Sequence, residues 1–318
     1  MDQTPWTPDL LPNFEQSTLS GLGAPEGLVD TVLVRRRCAS ASSRAVLYIH
    51  GYVDYFFQVH LADFYNAAGL NFYALDLRRH GRAMRPHQHP NFTTDIDEYL
   101  QDVDAAIAVL GKYELMDWLL INGHSTGGLV AALYAHRGKN RSMINAVFLN
   151  SPFLDLNLPT WQKRFLVLIL AAIGRWLPHL RLPELSEIYG QSLHREHHGQ
   201  WDYNREWKPI AGFPIYAGWL RAIYLAHTEV AKGLAIPCPV LVLHAEQSTW
   251  PKQFNPMAMR SDTVLNVADI HRLAPGLGNH VCVKAVPDGI HDLTLSGAAP
   301  RQAMFEALGQ WLLTVSTV

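Results

Sequence analysis

Several short runs of apolar residues carry no polar alternation: Ala45 to Ile49, Asn71 to Leu75, Trp118 to Asn122, Ala146 to Asn150, Val240 to His244 and Val281 to Val286. Such a run suits a strand covered on both faces, because neither side meets water. Between them lie segments with helical spacing, such as Ile96 to Tyr113 and Leu129 to His136, with Arg301 to Leu313 at the end. Strand and helix alternate, which predicts an α/β fold with a mostly parallel central sheet and helices on both faces. Nearer the start, Phe14 to Leu19 and Val29 to Arg35 read as two more strands, separated by a turn cluster of Gly21, Gly23, Pro25 and Gly27.

The alternation lapses between Asp155 and Gly233. That stretch has helical segments but no convincing strand, is broken by Pro159, Pro178, Pro183, Pro209 and Pro214, and holds Trp161, Trp176, Trp201, Trp207 and Trp219. Aromatic density of this kind is costly in water, so it predicts a packed helical insertion, not a linker. The expected organisation is a first core segment over 1–154, a helical lid over 155–235 and a second core segment over 236–318. Within the lid, Lys163-Arg164-Phe165 to Ile173, with Arg175, is apolar on nearly all sides and flanked by cations. A helix packed over an acyl pocket is the preferred reading; a lid helix touching a lipid surface is the alternative.

Composition narrows the class of protein. Among 318 residues the formal charge is −2, which argues against a nucleic-acid partner with its concentrated basic face. Hydrophobic residues make up 48% and charged residues 17%, which excludes a disordered chain. The longest aliphatic run, Phe165 to Ile173, is too short for a transmembrane segment. The start, Met1-Asp2-Gln3-Thr4-Pro5, has no basic and apolar leader pattern, and Cys38, Cys238 and Cys282 form no CxxC pair. Buried thiols and a cytoplasmic location are therefore expected.

Gly123-His124-Ser125-Thr126-Gly127 is a G-x-S-x-G motif, with Gly128 following, set between a buried strand and a helix. A tight strand-to-helix turn needs small residues where backbones crowd, and it lifts the serine hydroxyl clear of the sheet. A serine hydroxyl is a weak nucleophile without a positioned base, and in this topology the order should be Ser, acid, His. His291, just beyond the last strand run, stands where parallel sheets build their sites; His271 lies in a helical pattern and His280 at the wrong end of a strand. Asp262 is the favoured acid, with Asp269, Asp155 and Glu246 as alternatives and the intervening loop Gln247 to Ser261 to be accommodated. The amides of Thr126 and Tyr52 are the candidate oxyanion donors.

With His50-Gly51-Tyr52, Asp76-Leu77-Arg78-Arg79-His80-Gly81-Arg82, the serine motif and the late His291, the chain resembles the α/β-hydrolase family, particularly its monoacylglycerol lipase and lysophospholipase-like branch. Arg79 stands where that branch more often has glycine. The resemblance covers about Phe14 to Leu313. It implies a serine hydrolase that cleaves small-molecule carboxylic esters without a cofactor, and it favours Asp262 over Asp269. Thioesterase, peptidase and acyltransferase chemistry share the same acyl-enzyme, and a hydrolase-fold binding protein is the reading from another class. His194-Arg195-Glu196-His197-His198 is not HExxH and His87-Gln88-His89 has no third ligand at a known spacing, so no metal is expected. Oligomeric state leaves no trace in the sequence.

Overall fold

The computed structural model describes residues 5–24, 27–113, 116–158, 165, 167–183 and 186–316. One sheet contains β1 (Thr7–Pro8), β2 (Glu15–Ala24), β3 (Gly27–Arg36), β4 (Arg44–Ile49), β5 (Asn71–Asp76), β6 (Trp118–His124), β7 (Ala146–Asn150), β8 (Val240–Ala245) and β9 (Val281–Val286). Their order is β1-β2-β3-β5-β4-β6-β7-β8-β9. From β5 to β9 every pairing is parallel, while β1, β2 and β3 join antiparallel at the β5 edge.

The unbroken apolar runs have a direct cause. On β4, Ala45, Leu47 and Ile49 face a layer formed by α2 (Asp97–Tyr113), α3 (Thr126–Arg137) and α6 (Ala217–Val230). Val46 and Tyr48 face the opposite layer of α1 (Val59–Ala67) and α8 (Ala298–Val315). Both faces of the strand are dry, so both need apolar side chains.

Two local departures from the sequence reading have physical reasons. The glycines expected to form a turn lie partly inside the β2–β3 ladder, which shifts register between Leu19 and Leu22. Gly21, at φ 80°, supplies the left-handed residue of that bulge, so the strands continue through it. Arg79 sits at φ 61°, a conformation that explains why glycine is usual at this position. Its guanidinium is buried and donates to the Phe92 carbonyl at 2.7 Å, which helps hold the strained backbone in place.

Between β7 and β8 lie α4 (Leu168–Trp176), α5 (Ile188–Leu193) and α6, with isolated bridges but no named strand among the described residues. Trp219 is 5% exposed and Trp201 and Trp207 are half-buried, but Trp176 is 78% exposed, contrary to the expected burial. Pro159, Trp161, Lys163 and Arg164 fall outside the described residues. Helix α4 has two apolar faces. Ala171 and Gly174 pack inward, where Gly174 lies against the Ala217 carbonyl of α6, while Leu168, Ile169, Trp176 and the following Leu177 face outward. A further helix, α7 (Val267–Leu273), precedes β9 and carries Asp269 and His271.

Buried histidines gather at the carboxyl edge of the sheet, among them His80, His124 and His244. Burial, as the largest cause, pushes all three below the ordinary histidine value, so the folded chain resists protonating them. As pH drops below about 6.5 the unfolded chain gains protons that the folded chain refuses, so stability is full above that pH and lost below it. Between pH 7.5 and 5.5 each histidine costs at most about 1.4 kcal/mol by this linkage. Asp102 acts in the opposite direction. Burial, against the pull of Arg78, raises its carboxyl to about 6, so the folded chain takes up that proton first. Its offset over the interval is under about 1 kcal/mol, and the three histidines outweigh it. A urea midpoint clearly lower at pH 5.5 than at pH 7.5 is expected; equal midpoints would contradict the argument.

Candidate active site

Ser125 occupies the turn between β6 and α3 with φ 53° and ψ −118°, a strained backbone for a residue with a side chain. The strain is held by the chain around it. The Ser125 amide donates to the Asn150 carbonyl at 3.1 Å, and its own carbonyl accepts from the amides of Gly128 and Phe153, each at 2.9 Å. A methyl group on Gly127 would strike the carbonyl oxygens of Ile49 and His50, and one on Gly123 would strike the Gly127 backbone. Those contacts are why small residues flank the serine. The N-terminus of α3, with its partial positive charge, begins at Thr126.

The His291 ring is buried between the serine and Asp262. Its Nε2 lies 2.9 Å from Ser125 Oγ and its Nδ1 lies 2.8 Å from Asp262 Oδ2. A carboxylate oxygen can only accept, so Nδ1 carries the hydrogen and Nε2 is the nitrogen free to accept from the hydroxyl. Asp262 Oδ1 accepts from the amides of Val264 and Leu265, each at 2.8 Å, which fixes the carboxyl plane.

The long loop before Asp262 is pinched closed at its base. The Asp262 amide donates to the Gln247 carbonyl and the Thr249 amide donates to the Asp262 carbonyl, both at 2.9 Å. Residues 250–260 thus form an excursion that leaves the acid beside the end of β8. The alternatives lie elsewhere: Asp269 and Asp155 both bond Arg272, and Glu246 is exposed. Tyr52 and Thr126 line the cavity next to the serine. The Tyr52 hydroxyl donates to the Pro214 carbonyl at 3.1 Å, and its ring lies 4.3 Å from that of Trp219.

Sequence reasoning did not single out Asn150 and Asp292, which tie the histidine loop to the serine turn. Asp292 Oδ1 accepts from Asn150 Nδ2 at 2.7 Å and from the Thr294 hydroxyl and amide at 2.6 and 3.0 Å, while its Oδ2 accepts from Gln58 Nε2 at 3.3 Å. Burial opposes its charge, but His124 and these donors overcome the cost and hold the carboxyl below its ordinary value. Adjacency to His291 was the one available signal. Asp54, His124 and Asp292 bring potential ligand atoms within 4.8 Å of one another. Asp292 is already engaged as described, and Asp54 Oδ1 accepts from the Lys208 ammonium at 2.7 Å. An ammonium so close repels a cation, and we assign this cluster no metal.

Above the serine opens a cavity of about 520 Å³, walled by apolar side chains including Leu156, Leu170, Leu182, Ile215, Leu220 and Val264. A serine presented at a strand-to-helix turn, on a mostly parallel sheet between helical layers, defines an α/β hydrolase. The family model for Hydrolase_4, described as serine aminopeptidase S33, matches residues 40–252, well over half of the chain, and the chain belongs to that family. The match includes Ser125 but ends before Asp262 and His291. The chain is 25% identical over 252 residues to a monoacylglycerol lipase of Mycolicibacterium smegmatis, covering 74% of this chain and 81% of that one. Its fold is similar to that of a soluble variant of monoglyceride lipase from Saccharomyces cerevisiae (TM-score 0.69, 17% identity, 90% of this chain and 92% of the other). It is also similar to the Paleococcus ferrophilus monoacylglycerol lipase (TM-score 0.65, 21% identity, 89% and 99%).

Removing the Asp292 carboxylate would strand the donors of Asn150, Gln58 and Thr294 in a dry site. Asp292→Ala is expected to cost about 3 kcal/mol in urea unfolding, as for other buried charged partners. A cost within experimental error would show that the network does not hold the loop.

Proposed function

We propose that this protein is a serine hydrolase that cleaves carboxylic esters through an acyl-enzyme, with Ser125, His291 and Asp262 as the catalytic triad. Ser125 Oγ attacks the acyl carbon while His291 Nε2 takes its proton and then delivers it to the leaving alcohol. Asp262 orients the ring and stabilises its cation, and water activated by the same histidine releases the acid. The amides of Tyr52 and Thr126 stabilise the oxyanion. These steps need no metal or organic cofactor. The single observation that carries the reading is the pair of contacts on His291, 2.9 Å to the hydroxyl and 2.8 Å to the carboxylate.

The apolar cavity suits a hydrophobic acyl or aromatic group, since such walls bind mainly through buried area. Similarity to monoacylglycerol lipases supports an ester substrate. The family's description raises a second reading, peptide cleavage from an amino terminus. A buried ammonium would need an acidic partner, and Asp54, the acidic residue among the described lining, is already paired with Lys208. That pairing favours the ester.

The insertion over 155–235 would act as a lid on the core segments 1–154 and 236–318. The outward apolar face of α4 favours peripheral contact with a lipid surface over the purely inward role expected from sequence. No helix among the described residues is long and apolar enough to cross a membrane. A cytoplasmic setting fits Cys38, Cys238 and Cys282, which are free thiols.

Ser125→Ala is expected to lower p-nitrophenyl ester turnover by at least about three orders of magnitude, as for other triad deletions, with the fold intact by circular dichroism. Turnover at the parent rate would remove the mechanism. In a flotation assay with phosphatidylcholine vesicles, the protein should rise with the lipid and Trp176→Ser should weaken that association. A parent protein that stays at the bottom would exclude the lipid contact.

A further inference from the structure

The excursion over residues 250–260 has an internal structure that holding Asp262 does not require. Closure at Gln247 and Thr249 already places the acid. Beyond that closure, the Thr249 hydroxyl donates to Ser261 Oγ at 2.6 Å, and the Ser261 hydroxyl donates to the Met257 carbonyl at 2.6 Å. Asn255 caps a single 3₁₀ turn, Pro256–Met259, by accepting from the Met257 amide at 2.9 Å, and Ala258 of that turn is buried. The Phe254 ring stacks on His198 of the insertion, with 3.6 Å between centroids and 10° between planes.

Trp250 opens the excursion. It is 55% exposed, yet it lines the cavity above Ser125, as does Leu158, which is 36% exposed. Residues that border a cavity and also meet water mark its mouth. Single exposed aromatics are ordinary on a protein surface. One held by a braced loop at the mouth of an apolar cavity is placed to be covered by what fills that cavity. Trp250 also continues an existing wall. Ser248 pairs with Asp262 and its hydroxyl donates to the Leu265 carbonyl at 2.7 Å, which sets Trp250 beside Val264 and Leu265, both part of the cavity lining.

We infer that Trp250 is a specificity-determining residue, the outermost part of the acyl site, and that it favours esters of long acyl chains over short ones. The inference rests on the ester-hydrolase reading above and refines it. An acyl chain bonded at Ser125 runs along the apolar walls, and a short one ends inside them. A longer one emerges at the mouth, where its last methylenes return to water unless a side chain covers them. The flat indole supplies that cover. Each methylene kept from water is worth about fourfold in an equilibrium, so two or three against the ring amount to at least about tenfold. Because the excursion is closed at its base, loss of the indole leaves Asp262 in place and acts on the chain end alone.

The test is kcat/KM for p-nitrophenyl esters with acyl chains from butyrate to palmitate, each below its micelle-forming concentration. The parent should favour its best long chain over butyrate by at least about tenfold. Trp250→Ala should leave butyrate within about twofold of the parent and lower that long chain by at least about tenfold. The loss should begin at one chain length and grow beyond it. Phe254→Ala removes the stack on His198 and should lower the long chains by a smaller factor. A parent that prefers butyrate overturns the inference, as does a Trp250→Ala variant with an equal loss at every length or no loss at any. Failure of the underlying reading has a different signature, butyrate turnover that is unaffected by Ser125→Ala. Should the alanine variant fail to fold, Trp250→Gln, of greater length and polar, gives the same comparison.

Discussion

A left-handed backbone at Ser125 is the constraint from which the site's geometry follows. A residue with a side chain at φ 53° is held there only if its surroundings over-determine it. Here the Asn150 carbonyl takes its amide, Gly128 and Phe153 donate to its carbonyl, and the Ile49–His50 backbone presses so close to Gly127 that no side chain fits. Three neighbouring parallel strands, β4, β6 and β7, therefore converge on one turn. The order of strands in the sheet is what brings them there.

The same convergence sets the position of the histidine. Asn150 ends β7 and works in two directions: its carbonyl accepts from Ser125, and its side chain bonds Asp292 and the Leu293 amide. The serine turn and the histidine loop thus share one anchor. A displacement of β7 would move both together and preserve their separation, whereas loss of Asp292 would move only the loop. The acid is located differently, by a loop closed on itself at Gln247 and Thr249, which makes its position insensitive to the length of the excursion in between.

How much of this could be read from the residues depends on the range of the forces involved. The central strands were legible because a strand buried on both faces must be apolar throughout, a strictly local requirement. The serine motif was legible because crowding at a turn constrains its immediate neighbours. Helix α1 was not, since only Leu61, Ala62 and Tyr65 are fully buried and its pattern is too sparse to stand out. The strands around Gly21 were read short because a bulge and a turn draw on the same residue. Trp176 misled for another reason: burial was inferred from composition, yet α4 needs apolar residues inward for α6 and carries more outward than the described chain covers. The Lys208–Asp54 pair was invisible, because nothing local links positions 154 residues apart.

That last pair shows how core and insertion divide the work. The core holds the strained serine, the imidazole and the acid with short bonds among elements that also form the sheet, so it can change little without unfolding. The insertion supplies the apolar walls from Leu170, Leu182 and Ile215, the ammonium of Lys208, and Tyr189, whose ring meets the His291 ring edge-on and whose hydroxyl accepts from the Asp292 amide. The polar contacts that fasten it to the core include Lys208 to Asp54, the Tyr52 hydroxyl to the Pro214 carbonyl, and the Trp201 indole N–H to the Leu295 carbonyl at 2.7 Å. Two of the three fasten the insertion to residues that also line the cavity. A molecule that fills the cavity therefore fits against groups that also fasten this stretch of chain to the sheet.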